Sequence, residues 1–84
     1  MGVEVANMKI RYDKKADAVY ILISDNPYSY GKDLDEERRI DFDIDGNPIG
    51  VELLCVSMGV ITDDLPYRAE IERILGDRGI KVYA

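Results

Sequence analysis

Residues 38–56, RRIDFDIDGNPIGVELLCV, decide the fold that this sequence predicts. From Arg38 to Ile44, apolar side chains alternate with charged ones, and the alternation resumes after the turn signal at residues 45–48. Period-two alternation is typical of a half-buried strand, and a turn signal between two such runs is typical of a β-hairpin. We therefore predict two antiparallel strands, whose inward-facing residues are Ile40, Phe42, Ile44, Ile49, Val51, Leu53 and Cys55.

Two registers of this hairpin keep apolar residues opposite each other. In the first register, the carboxylates of Asp41 and Glu52 face and repel each other. The second register is shifted by two residues and pairs Phe42 with Ile49. It also brings Arg39 opposite Glu52, which is an attractive cross-strand pair. We prefer the second register for that reason.

Two further strands precede the hairpin. Met8, Ile10 and Tyr12 alternate with polar residues, as in a strand with one buried face. Residues 18–23, AVYILI, are apolar throughout, which is typical of a strand covered on both faces or paired with another molecule. Residues 24–37 are polar, and so long a loop in a small domain is either functional or mobile.

The C-terminal part predicts one helix and one short strand. Acids and a proline open the helical stretch, as expected near a helix N-terminus. One face of this helix, over residues 63–76, consists of Tyr67, Ile71, Ile74 and Leu75. Gly76 is expected to cap the helix, and residues 79–83 form the last strand.

The whole chain, residues 1–84, is expected to form one domain of the α+β class. It consists of a leader at residues 1–7, a four-stranded antiparallel β-meander within residues 8–57, the helix and the short strand. A chain of 84 residues buries a modest core, so its monomer is expected to be marginally stable.

Charge and composition narrow the classes of partner and of chemistry that this protein can have. Seventeen acids against eleven bases give a net charge of -6, which disfavours nucleic acids and anionic membranes as partners. A basic partner protein or a cation is the better match, although solubility alone also explains the charge. The sequence has no His and a single Cys, which excludes imidazole catalysis and an intrachain disulfide and favours a cytoplasmic location.

An acidic pattern in the hairpin matches the calcium-loop expression D-x-D-x-D-G-x5-E, with oxygen ligands of the kind that divalent cations prefer. Its acids are Asp41, Asp43, Asp45 and Glu52. An EF-hand needs helices on both sides, whereas both flanks here alternate as strands do. Pro48 also stands where that motif normally has an aliphatic residue. We favour a plain acidic hairpin and keep a divalent-cation site as the alternative.

Other candidate binding residues lie in the first turn and the long loop. Asp13 and Asp17 flank the first turn with Tyr12 and Tyr20 beside them, and such a carboxylate pair could perform acid–base work with a tyrosine as donor. Asp beside a turn more often accepts backbone hydrogen bonds, and Asp17 and Tyr20 are the two candidate binding residues of this group. Tyr28 and Tyr30 either form an interface patch or fold back over the sheet. We find no phosphate-binding glycine loop and no clustered acid, base and nucleophile, so we expect neither a cofactor nor an enzyme.

The predicted outer face of the sheet favours self-association. Four apolar side chains share that face if the second and fourth strands are neighbours: Tyr20, Leu22, Leu54 and Val56. A symmetric homodimer would bury them. The alternative is that the C-terminal helix covers this face.

Four stretches together resemble a small prokaryotic family known as domain of unknown function 2283. They are residues 9–13 (KIRYD), 16–21 (ADAVYI), 41–46 (DFDIDG) and 50–54 (GVELL). The resemblance implies a compact β-rich domain of intracellular bacterial or archaeal origin, with no established catalytic residues. It also implies an antitoxin-like role, because members of the family often accompany small toxin-like proteins. We therefore expect a non-catalytic protein-interaction module, with a small-ligand or cation-binding protein that uses the 41–52 hairpin as the alternative.

Overall fold

A computed structural model describes residues 8–83 of the chain. The predicted leader at residues 1–7 lies outside the described residues. The strands are β1 (Lys9–Asp13), β2 (Ala18–Leu22), β3 (Tyr30–Asp33), β4 (Arg38–Phe42), β5 (Pro48–Leu54), β6 (Val60–Ile61) and β7 (Val82–Tyr83). A 3-10 turn at Val56–Met58 follows β5, and the α-helix α1 comprises Arg68–Asp77.

Five strands form one antiparallel sheet in the order β1-β2-β5-β4-β3, while β6 and β7 form a separate parallel pair. The predicted α+β class with an antiparallel sheet is confirmed. The four-stranded meander is wrong, because the 24–37 loop contains β3 and because β2 pairs with β5. The sequence of β3, YGKD, shows no alternation of apolar side chains. This edge strand is held in the sheet by its backbone pairing with β4.

The register of the β4–β5 hairpin is the preferred one up to Asp41, but the predicted pairing of Phe42 with Ile49 is wrong, because Phe42 pairs with Pro48. Arg39 faces Glu52 and Ile40 faces Val51. An irregularity between Asp41 and Phe42 then shifts the pairing by one residue. Phe42 still packs against the core, so the inward face of β4 is unchanged up to its last residue.

The turn that follows β4 overturns one core assignment at the hairpin tip, because Asp43 faces inward and accepts hydrogen bonds from the Asp45 and Asn47 amides. Ile44 is 83% exposed, not inward-facing, whereas Asp43 is only 3% exposed. A second reversal follows β5, where Cys55 adopts a left-handed backbone with φ 56°. Cys55 is therefore exposed rather than in the core, and Val56, predicted to face outward, is 1% exposed.

The helix starts later and ends later than the predicted 63–76. Asp64 and Tyr67 have φ values of 67° and 52°, which no residue inside a right-handed helix adopts. The capping glycine is Gly79 (φ 75°), not Gly76. The amide of Ile80 donates to the Leu75 carbonyl and that of Gly79 to the Gly76 carbonyl, which is a Schellman motif.

The core lies between one face of the five-stranded sheet and the C-terminal segment. The helix contributes Ile71 and Leu75, both 0% exposed, which pack with Val19 and Leu53 among others. We call this the core face of the sheet and the opposite one the open face. The last strand pairs with β6 of the same chain. Within residues 8–83, no helix is long and apolar enough to cross a membrane.

Candidate functional site

A groove lies between the end of β5, the β6–β7 pair and the turn that joins β3 to β4. It encloses about 170 Å³. Met58 is 74% exposed and Ile61 is 50% exposed, although both are large apolar side chains. The apolar wall of the groove includes Leu54, Met58, Val60, Ile61 and Tyr83, and its charged rim consists of Asp35, Glu37 and Arg38.

Asp17 holds the turn that presents Met58. Its two carboxylate oxygens accept hydrogen bonds from the Ser57 amide at 2.9 Å and the Ser57 hydroxyl at 2.6 Å. Its carbonyl accepts a third hydrogen bond from the Val56 amide. Asp17, predicted as a binding residue, thus fixes the first hairpin turn to the segment that follows β5.

Gly59 lets the Tyr83 ring close the far side of the groove. A Cβ atom at Gly59 would lie 2.3 Å from a ring carbon of Tyr83, and the φ of Gly59 is 94°. Only glycine combines that backbone conformation with so close an approach. The Lys81 ammonium lies 4.9 Å from the centre of the Tyr83 ring on β7.

Arg38 joins β4 to the chain that leaves β6. Its guanidinium donates to the carbonyl oxygens of Ile61 at 2.9 Å and Asp63 at 2.6 Å. It also forms an ion pair with Asp35 at 2.9 Å. The Glu37 amide and then Arg38 hold the pKa of Asp35 below its ordinary value. The Asp35 carboxylate is therefore charged at neutral pH, and its ion pair with Arg38 offsets that charge.

The rest of the turn adds further negative charge beside the groove. Within residues 8–83, neither Glu36 nor Glu37 takes part in an ion pair. Hydrogen bonding with Glu37, followed by burial and nearby carboxylates, raises the pKa of the Cys55 thiol. Cys55 is thus exposed but held in its less reactive protonated form.

The open face carries a chain of polar contacts centred on Tyr20. The Tyr20 ring lies over Gly50, where a Cβ atom would be 1.8 Å from the phenol oxygen. The hydroxyl donates to Asp41 at 3.0 Å, across the intervening strand β5. Burial, followed by this hydrogen bond and the charges of Asp41 and Glu52, raises the pKa of Tyr20 to about 12.

Arg39 continues this network toward the edge of the sheet. It lies 3.4 Å from Asp41 and 3.0 Å from Asp33 in two ion pairs, and it donates to the Tyr28 hydroxyl at 3.2 Å. Tyr30 instead stacks on Phe42, with ring centres 5.0 Å apart. The two tyrosines of the loop therefore do not form one patch.

The four acids of the calcium-like pattern have separate surroundings. Asp43 accepts hydrogen bonds from the amides of Asp45 and Asn47 and from the side chain of Asn26, so it closes the hairpin turn. Asp41 accepts the hydrogen bond of Tyr20, and Asp45 is exposed. No group of three or more Asp, Glu or Cys within residues 8–83 is arranged to hold a metal ion.

Comparison with known proteins identifies the family. Residues 9–57, more than half of the chain, match the family described as "Protein of unknown function (DUF2283)". The chain belongs to this family. The match confirms the resemblance and covers β1 to β5 and the Asp17–Ser57 contact. No match was found among curated proteins or among solved structures.

The groove is the feature that sequence reasoning missed. Met58, Ile61 and Tyr83 belong to short elements whose apolar patterns are interrupted by glycine or end after two residues. Of the patch predicted for a dimer interface, Tyr20 and Leu22 are half-buried on the open face, and Leu54 is exposed there. Val56 belongs to the core instead, because of the left-handed backbone at Cys55.

Proposed function

We propose that the protein is a non-catalytic protein-interaction module whose groove binds a basic segment of another protein. One observation carries the proposal: exposed Met58, Ile61 and Tyr83 line a concave surface beside the carboxylates of Asp35 and Glu37. Contiguous exposed apolar surface with a polar rim is typical of interaction sites. A negative rim complements a positively charged partner and raises its association rate.

The size of the groove supports a peptide rather than a small molecule. Sites for drug-sized ligands usually enclose about 300–1,000 Å³, whereas this groove encloses about 170 Å³. It therefore accommodates apolar side chains of a larger partner, with Lys or Arg side chains beside them at the rim. The net charge of -6 favours the same class of partner.

An antitoxin-like role is the specific form of this proposal that the family resemblance implies. Its partner would be a small basic protein that the groove binds and holds inactive. If a neighbouring gene encodes such a protein, co-expression should yield a complex whose affinity falls as salt rises.

Peptide selection on the full chain tests the proposal without a known partner. We expect a random peptide library to yield sequences that place Lys or Arg next to Leu, Met or Phe. The affinity of a selected peptide should fall at least tenfold in the double variant Met58→Ser/Ile61→Ser, because both side chains contact the bound segment.

Ile44→Ser is the matched control, since Ile44 is also an exposed apolar residue but lies at the opposite end of β5. It should leave peptide affinity unchanged. Selection of acidic peptides, no selection at all, or equal loss of affinity in Ile44→Ser would contradict the proposal.

A further inference from the structure

The open face of the five-stranded sheet is a second candidate surface for association, because its charged side chains follow a regular order across the strands. Helix α1 lies on the core face, whereas Tyr28 of the loop between β2 and β3 contacts Arg39 on the open face. One row of side chains crosses all five strands at a single level. In spatial order, this row is Arg11, Tyr20, Glu52, Arg39 and Asp33.

The two edges of this face carry opposite charge at the same end of the sheet. Strand β1 provides Arg11 and the β1–β2 turn provides Lys15, and we call these two residues the basic corner. The Lys14 ammonium instead lies over the ring of Tyr12, which packs against the core. The β3–β4 turn and the end of β3 provide Glu36 and Asp33, which we call the acidic corner. The antiparallel pairings place both turns at the end of the sheet where β5 finishes.

We propose that two copies of the chain associate through their open faces about a two-fold axis parallel to the strands. That rotation reverses the row, so Arg11 lies over the partner's Asp33 and Tyr20 lies over the partner's Arg39. The same rotation places the corresponding ends of the two sheets next to each other. The basic corner of each copy therefore meets the acidic corner of the other, and each of these contacts occurs twice.

The other two-fold axis in the plane between the sheets runs across the strands. This axis would place each residue of the row over the same residue of the partner, so that Arg11 faces the partner's Arg11 and Asp33 faces the partner's Asp33. Like charges at such positions repel, so the charge order of this face selects the axis parallel to the strands.

The central strand lies on that axis and contributes one favourable and one unfavourable contact. Leu54 meets the partner's Leu54, and both exposed side chains become buried. Glu52 meets the partner's Glu52, although Arg39 on the next strand partly offsets this repulsion. The axis therefore makes a specific prediction: Glu52→Gln should strengthen association.

A charge-swap experiment tests the proposal by sedimentation. The wild-type chain should sediment at twice its 9.5 kDa mass at concentrations of roughly 100 µM, where even weak specific association populates a dimer. Arg11→Glu/Lys15→Glu and Asp33→Lys/Glu36→Lys should each be monomeric alone. Mixed in equal amounts, the two variants should restore the dimer, which also shows that both are folded.

Arg73→Glu/Arg78→Glu is the matched control, because it changes charge equally on exposed positions of the helical side and should leave the dimer intact. A monomeric wild type, a mixture that stays monomeric, a dissociated control or weaker association of Glu52→Gln would each overturn the proposal. The residues exchanged lie outside the groove, whereas Leu54 lines the groove and also lies on the two-fold axis. Peptide affinity is therefore measured on the monomeric variant Arg11→Glu/Lys15→Glu, where it reports on the groove alone, while the mass of the particle reports on the dimer.

Discussion

At the scale of single residues, the polar side chains that suggest a binding or catalytic role in the sequence connect strands in the structure. Tyr20 spans β5 to reach Asp41, and it can do so only because Gly50 leaves room for the ring. Asp17 binds Ser57 with both carboxylate oxygens. These contacts explain the polar residues in the family-matched region by structure rather than by catalysis.

The ionisation of Tyr20 is the first prediction. Its folded pKa of about 12 exceeds its ordinary value of 10.0, so the folded state holds the proton more tightly than the unfolded state. The contribution of Tyr20 to the free energy of unfolding should therefore be fully present below pH 10 and be lost as pH rises through about 12. NMR titration of the Tyr20 ring should show a lower pKa in Asp41→Asn. An unchanged pKa in that variant would contradict the assigned contact.

Asp43 gives a prediction of opposite sign. Hydrogen bonds from the Asn47 amide and then the Asn26 side chain lower its pKa below the ordinary 3.8. Its contribution to stability is present above pH 3.8 and is lost as pH falls through the lower folded pKa. In urea unfolding at pH 7, Asp43→Ala should be less stable than Asp43→Asn. Asp45→Ala should match the wild type, and equal midpoints for all variants would refute this role.

At the scale of elements, two nearby glycines have opposite roles in the helix terminus. Gly76 lies inside α1, where an added Cβ atom would meet no other group within 4 Å, whereas Gly79 has a φ of 75°. Gly76→Ala should raise the free energy of unfolding by about 0.5–1 kcal/mol through helix propensity. Gly79→Ala should lower it by about 1 kcal/mol because alanine disfavours the left-handed region. Urea denaturation measures both, and effects of equal sign would contradict the Schellman assignment.

The elements also show what periodicity can and cannot predict. Alternation located β1, β4 and β5, and a short apolar run located β2. The pairing of Arg39 with Glu52 chose the register correctly up to Asp41. Strand β3 could not be found in this way, because backbone pairing at an edge requires no apolar side chains. Ile44 was misplaced because it lies in the turn that Asp43 closes, and Cys55 was misplaced because one left-handed residue reverses the alternation without any signal in composition.

At the scale of the whole molecule, the two candidate surfaces could not be read from the sequence. The groove depends on how β6, β7 and the β3–β4 turn meet, which only the tertiary structure provides. The order β1-β2-β5-β4-β3 likewise determines which charges share the open face. The excess of acids is visible in the sequence, but its position on the surface is not.

The molecule as a whole also predicts its response to calcium. The acids of the 41–52 hairpin are engaged with Tyr20, Arg39 and the turn amides instead of converging on one point. About 5 mM CaCl₂, enough to occupy even weak sites, should leave the melting temperature equal to that in NaCl of the same ionic strength. A rise in wild type that is absent in Asp41→Asn/Asp45→Asn would instead support the cation-binding alternative.

The most direct test of the proposed interaction module is an NMR titration of the full chain with a peptide from the library selection. The amide signals of Met58, Ile61 and Tyr83 should shift in proportion to saturation, and the affinity should weaken as NaCl rises. Tyr20 and Arg11 on the open face should remain unchanged. Shifts confined to the open face or to the tip at Ile44, or an affinity insensitive to salt, would contradict the assignment of the groove.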